Sequence, residues 1–148
     1  MVGLEVDPDV RPVVLVPEAT LATHVARGLL PDVVPHADAA YNAARTGLLV
    51  HALTTEPRML LEATDDRLHQ RQRASAMPES LALMDRLRDA GFAAVVSGAG
   101  PSLLVLATRS DDAAAASELA PEGWSVLPLE VDSSGARVLH GTVQVSSS

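Results

Sequence analysis

Two apolar tetrads, Ala93-Ala94-Val95-Val96 and Leu103-Leu104-Val105-Leu106, are separated only by Ser97-Gly98-Ala99-Gly100-Pro101-Ser102, and this restricts the fold more than any other stretch. Runs so short, apolar and bounded by turn residues read as buried strands. So short a connection holds no crossover helix, which leaves a hairpin-like antiparallel unit. Dinucleotide and P-loop fingerprints run from a strand into a helix, so this glycine turn is neither.

The remaining elements follow from similar signals. Val13-Val14-Leu15-Val16, stopped by Pro17, reads as another buried strand. Thr20 is placed to cap a helix through Leu21, Val25 and Leu29 that Pro31 closes. A longer helix is expected from about Ala37 to Leu53, its narrow stripe formed by Tyr41, Ala44, Leu48 and Ala52. Pro57 opens a short helix over Met59, Leu60 and Leu61. The clearest helix starts at Pro78, carries Leu81, Met84 and Leu87 on one side, and stops at Gly91. A helix over about Asp111 to Leu119 precedes a strand from Ser125 to Val131, whose Pro128 indicates a sheet edge. After the turn Asp132-Ser133-Ser134-Gly135, Leu139, Gly141, Val143 and Val145 alternate with polar residues as a final strand would. The expected fold class is α+β, a mainly antiparallel four-stranded sheet with helices packed on one face, in one domain over residues 1–148.

Composition excludes several functions. Net charge is -8, against the basic surface that nucleic acid or anionic membranes require, so neither is expected as a partner. All 11 basic residues are arginine, which excludes Schiff-base lysines and a Walker A lysine within these residues. Without cysteine there is no disulfide or thiolate chemistry, and a cytoplasmic setting is expected. Met1 to Glu5 lacks the basic flank of a targeting signal, and no window approaches the ~20 apolar residues of a membrane span. Only Tyr41, Phe92 and Trp124 are aromatic, so Ala, Val and Leu must fill the core.

Candidate chemistry is sparse. Two glycines separated by one residue allow positive φ and leave room for a neighbouring loop or an anion, or they serve only the hairpin's geometry. Asn42 and Arg45 lie near one face of the long helix, where both contact with a ligand and solvent exposure are open. His69 follows an acidic pair, which suits a general base as well as a structural loop histidine. His24, His36, His51 and His140 lack metal-ligand spacing, and Asp65-Asp66 and Asp111-Asp112 read as helix-start acids.

Val96-Ser97-Gly98-Ala99-Gly100-Pro101-Ser102 before an apolar strand resembles the third motif of the GHMP small-molecule kinases. Within that superfamily several segments resemble homoserine kinases. They are Val16-Pro17-Glu18-Ala19-Thr20-Leu21-Ala22-Thr23 with Ala26-Arg27, Asp38 through Asn42, and Asp66-Arg67-Leu68-His69-Gln70 with Arg73 and Met77-Pro78. Arg71-Gln72 stands where family members often have Pro-Tyr, and Ala22 where serine is frequent. The resemblance implies a ferredoxin-like GHMP C-terminal domain in which Arg27 and Arg73 hold the carboxylate of L-homoserine. It places Asn42, Thr23 and His69 beside the substrate. Ser97, Gly98, Ala99, Gly100 and Ser102 then support a phosphate loop, and no catalytic residue or metal ligand is assigned within this chain.

The complete enzyme implied by the resemblance uses ATP and Mg2+ to phosphorylate the homoserine hydroxyl, giving O-phosphohomoserine for threonine synthesis. Its nucleotide motif, Pro-x-x-x-Gly-Leu-Gly-Ser-Ser-Ala, is not among these residues. The chain is therefore expected to be a C-terminal half, inactive alone, whose partner is the N-terminal half, with a homodimer also compatible. Two alternatives stand beside this reading: another GHMP small-alcohol kinase, and a non-catalytic amino-acid-binding module.

Overall fold

The computed structural model describes residues 3–108 and 110–132. Four strands form one antiparallel sheet: β1 (Arg11–Val16), β2 (Ala93–Val96), β3 (Leu103–Ala107) and β4 (Ser125–Pro128), in the order β2-β3-β1-β4. This is the strand order of a ferredoxin-like split βαβ arrangement. The expected hairpin is present, with Val96 opposite Leu103 and Ala93 opposite Leu106. β1 pairs with β3 on one side and β4 on the other, so among the described residues β4 is an edge strand, where its Pro128 is tolerated.

Alternation along the strands divides the apolar side chains between two faces. Val13 and Leu15 of β1, Ala94 and Val96 of β2, and Leu103 and Val105 of β3 share one face. It is covered by α4 (Pro78–Asp89), through Leu81, Met84 and Leu87, and by α5 (Ser110–Glu118), through Ala116. Each fully buried leucine contributes about 1.5–3 kcal/mol, which makes this interface the main source of stability. α4 begins with Pro78 in its first turn, and Gly91 follows its end at φ 93°. There the amides of Gly91 and Phe92 return to the carbonyls of Arg88 and Leu87 at 2.9 and 3.0 Å, closing a Schellman motif.

On the opposite face α2 (His36–Thr54) and α3 (Leu60–Ala63) gather at one end. Ala52, Leu60 and Ala63 pack there with Val10 and Ala93, flanked by Leu48, Leu49, Leu53 and Leu106. Val95 and Leu104, a cross-strand pair on that same face, stay half-buried beyond this cluster.

The first helix differs from expectation. α1 is Thr23–Gly28 and starts after Ala22, with no side-chain cap, so Thr20 is not its N-cap. Leu21 packs against the main core while Val25 is 44% exposed, so the apparent i, i+4 stripe does not face one core. A 3-10 segment, Arg71–Ala76, lies between α3 and α4, where no element was foreseen. The segment from Leu139 to Val145 and the turn from Ser133 to Gly135 lie outside the described residues. Among the described residues no helix is long and apolar enough to cross a membrane.

Leu87 is fully buried and Val50, on α2, is 45% exposed. Leu87→Ala is expected to cost about 2–5 kcal/mol in urea unfolding, and Val50→Ala no more than about 0.5 kcal/mol.

Candidate functional site

The glycine turn is held by its own backbone and by one neighbouring segment. Ser97 N donates to Ser102 O at 2.8 Å and Gly100 N donates to Ser97 O at 3.0 Å. Gly98 and Gly100 take φ of 59° and 85°, which non-glycine residues rarely adopt, and Gly100 is followed by a cis bond to Pro101. A Cβ on Gly100 would lie 2.5 Å from Met77 Sδ and 3.1 Å from Val96 Cγ1, whereas one on Gly98 meets open space. Residues 70–80 grip the turn at three points. Gln70 Oε1 accepts from Val96 N at 2.7 Å, Ser80 Oγ donates to Pro101 O at 2.7 Å, and Arg73 Nη1 donates to Gly98 O at 3.1 Å.

Arg73 is only 8% exposed. Its Nε donates to Ala26 O at 3.3 Å, so one guanidinium bridges α1 and the glycine turn. It makes no ion pair among the described residues, and its Nη2 has no acceptor there. Buried charges are normally paired, because removing a cation from water without a counter-charge is costly.

A second centre forms around Asp66. Its carboxylate accepts from Asn42 Nδ2 at 2.6 Å, His69 Nδ1 at 2.9 Å, and the amides of Leu68, His69 and Gln70 at 3.3, 2.8 and 2.7 Å. Burial alone would push the Asp66 carboxyl up. Hydrogen bonds from the Gln70 backbone, the His69 ring, the Asn42 amide and the His69 backbone outweigh that and hold it at about 2, below its ordinary 3.8. Asn42 Oδ1 accepts from Arg67 N at 2.9 Å, so α2 is tied to this turn through both ends of one amide.

The tie is reinforced by the adjacent residues. The Tyr41 hydroxyl donates to Asp65 at 2.6 Å and accepts from Arg45 Nη2 at 2.9 Å. The guanidiniums of Arg67 and Arg45 lie 3.7 and 4.5 Å from the Tyr41 ring centre, a cation–π arrangement. Arg45 Nε is buried with no hydrogen-bond partner among the described residues.

These groups surround a cavity of about 540 Å³ over the part of the sheet that α2 and α3 leave uncovered. Val95, Leu104 and Leu106 form its apolar side, and Asn42, Arg45, Asp65, Asp66, His69, Arg73 and Gly98 its polar side. Of the residues singled out in the sequence, Arg73, Asn42, His69 and Gly98 are therefore brought together. Arg27 and Thr23 are exposed on α1 and do not line this cavity, although Arg27 directly follows the Ala26 carbonyl that Arg73 holds. Ser97, Ala99, Gly100 and Ser102 belong to the turn behind Gly98. Asp66 does cap a turn, as a helix-start acid should, but its hold on His69 and Asn42 was not foreseen, nor was the role of Gln70. The spacing Asp66-x-x-His69-Gln70 carries that information, because a turn-capping carboxylate faces the residues three and four positions on.

A family model described as GHMP kinases C terminal matches residues 49–125. Homoserine kinase of Streptomyces avermitilis is 54% identical over 140 residues, covering 93% of this chain and 45% of that protein. Homoserine kinase of Streptomyces coelicolor is 51% identical over 138 residues, covering 93% of this chain and 44% of that protein. The crystal structure of homoserine kinase from Cytophaga hutchinsonii superposes with a TM-score of 0.80 at 22% identity, over 88% of this chain and 44% of that one, a likeness of fold. The chain thus spans about half the length of the curated relatives it matches.

Two outcomes test this geometry. Gly100→Ala should lower the melting temperature more than Gly98→Ala, since only the former adds a clash with Met77 and Val96 to the positive-φ strain. A carboxyl whose pKa is depressed stabilises above its unfolded value and loses that contribution as pH falls through its folded value. The wild type should therefore exceed Asp66→Asn in urea stability by a constant margin above about pH 4, and that margin should shrink toward pH 2.

Proposed function

This chain belongs to the GHMP kinases and carries the family's C-terminal region, and from that premise we propose that it is the amino-acid-selecting half of a homoserine kinase. The complete enzyme would move the γ-phosphoryl group of ATP to the side-chain hydroxyl of L-homoserine, in the cytoplasmic route to threonine. Residues 1–148 then form one C-terminal domain, whose partner is the N-terminal half bearing the nucleotide loop.

The observation that carries this reading is the buried Arg73 cation, which faces the cavity without an ion-pair partner among the described residues. A ligand carboxylate would supply that charge, and a planar guanidinium receives it with parallel hydrogen bonds. Arg27, exposed beside the Ala26 carbonyl that Arg73 grips, is placed to join it from the α1 side, with Thr23 one turn earlier. Asn42 and His69 offer polar contacts from the α2 side of the cavity. Phosphoryl transfer depends mainly on positioning and charge neutralisation, so anchoring the carboxylate is a direct contribution to placing the hydroxyl.

The glycine turn fits a supporting role better than that of an ATP cradle. Cradling a triphosphate needs free backbone amides, and those of Val96, Ser97 and Gly100 are already engaged by Gln70, Ser102 and Ser97. ATP and Mg2+ are accordingly assigned to the N-terminal half, with Ser97, Gly98, Ala99, Gly100 and Ser102 bracing its phosphate loop.

Calorimetric titration of the chain with L-homoserine and with 3-aminopropanol, which lacks the carboxylate, tests the assignment. Arg73→Met should weaken homoserine binding by roughly tenfold or more and leave the amino alcohol unchanged. Equal losses for both ligands would remove Arg73 as the carboxylate partner. If homoserine binds, yet no O-phosphohomoserine forms after the nucleotide half and ATP are added, the binding-module reading prevails.

A further inference from the structure

We propose that Asp66 is a positioning residue that keeps a proton on His69 Nδ1, so that in the neutral ring Nε2 is presented as a hydrogen-bond acceptor for an O–H or N–H donor of the ligand. The ligand side of this inference rests on the homoserine reading; the Asp66–His69 assignment stands on geometry alone.

The geometry places a proton on one ring nitrogen. Asp66 is already the acceptor for an amide side chain and three backbone amides, a set of donors on both oxygens that an ionised, acceptor-only carboxylate satisfies. The His69 Nδ1 that lies 2.9 Å from Asp66 Oδ1 must then carry the hydrogen. In a neutral imidazole the other nitrogen is an acceptor, so Nε2 holds a lone pair. Nε2 makes no hydrogen bond among the described residues, and His69 lines the cavity that holds Arg73. The carboxylate group facing His69 from its own turn is Asp66, while α2 contributes Asn42 and Arg45 to the same cavity, with Asp65 alongside. Arg73 offers only donors, as does the unpartnered Nε of Arg45, so His69 Nε2 adds an acceptor beside cationic donors. A ligand with a carboxylate at one end and a hydroxyl or ammonium group elsewhere matches donors and acceptor together. Gln70, whose amide also reaches Asp66, carries the same constraint to Val96 at the start of the glycine turn.

Nitrogen-15 NMR of the histidine rings in the wild-type chain at about pH 8.5, where an ordinary imidazole is neutral, needs no substitution. The His69 proton is expected on Nδ1, and a neutral ring protonated on Nε2 overturns the proposal. Asp66→Ala should release the ring to the other tautomer. Binding supplies the second readout. His69→Phe, at a half-exposed position, should weaken L-homoserine by about tenfold. His69→Gln, which returns an acceptor near Nε2, should recover most of the loss. L-2-aminobutyrate lacks the hydroxyl and 4-hydroxybutyrate lacks the ammonium group, so whichever analogue escapes the His69→Phe penalty identifies the donor. Homoserine affinity unchanged by both His69 variants would sink the acceptor role. Should the wild type show the Nδ1 proton yet bind none of the three ligands, the homoserine reading fails and Asp66 keeps its place as the group that sets the ring.

Discussion

A guanidinium removed from water must find acceptors, and Arg73 finds them on two pieces of chain that otherwise share little. One is the carbonyl of Ala26 at the end of α1, the other the carbonyl of Gly98 in the glycine turn. Because neither is charged, the arginine satisfies part of its hydrogen-bonding capacity and none of its charge. The same contacts that fix its position therefore leave it in need of an anion. The surrounding segment, from Gln70 to Ser80, serves to keep the turn within its reach.

The hairpin, α4 and the edge position of β4 were legible because each has a local cause. Tetrads of apolar residues bracket a glycine turn, proline opens the helix and glycine follows it, and proline restricts the last strand. The first helix starts later than its local signal because Thr20 resembles a cap, whereas Leu21 packs against the core and the extended Ala22 stands at the cap position. The second apolar cluster, on the opposite sheet face, was not visible either. α2 buries only Ala52 fully along its length, so its periodicity gave little sign of which side the sheet would occupy.

The site divides in the same way. Arg73 and the glycine turn were singled out by resemblance, and in the structure they touch directly, through Arg73 Nη1 and Gly98 O. Asp66 was less apparent because its importance comes from convergence: a side chain from α2, a ring three residues on and three successive amides all point to one carboxylate. Nothing in residue type alone separates such an acid from an ordinary turn-capping aspartate. The meeting of Asn42 and Asp66, 24 positions apart in sequence, is a tertiary fact, supplied by the packing of α2 beside α3.

The central position of β1 also bears on how the chain reaches this structure. β1 is the first strand in the sequence, yet its partners are β3 and β4, with Arg11 opposite Ala107 and Val16 opposite Ser125. During synthesis it waits, unpaired and apolar, until most of the described chain has emerged. The hairpin of β2 and β3 closes over a short loop, whereas docking β1 onto it closes a very long one, and such non-local pairing slows folding. The early strand is therefore the segment most exposed to wrong pairings, and Pro8 ahead of it and Pro12 within it, which lacks an N–H to donate, limit how far such a pairing can spread.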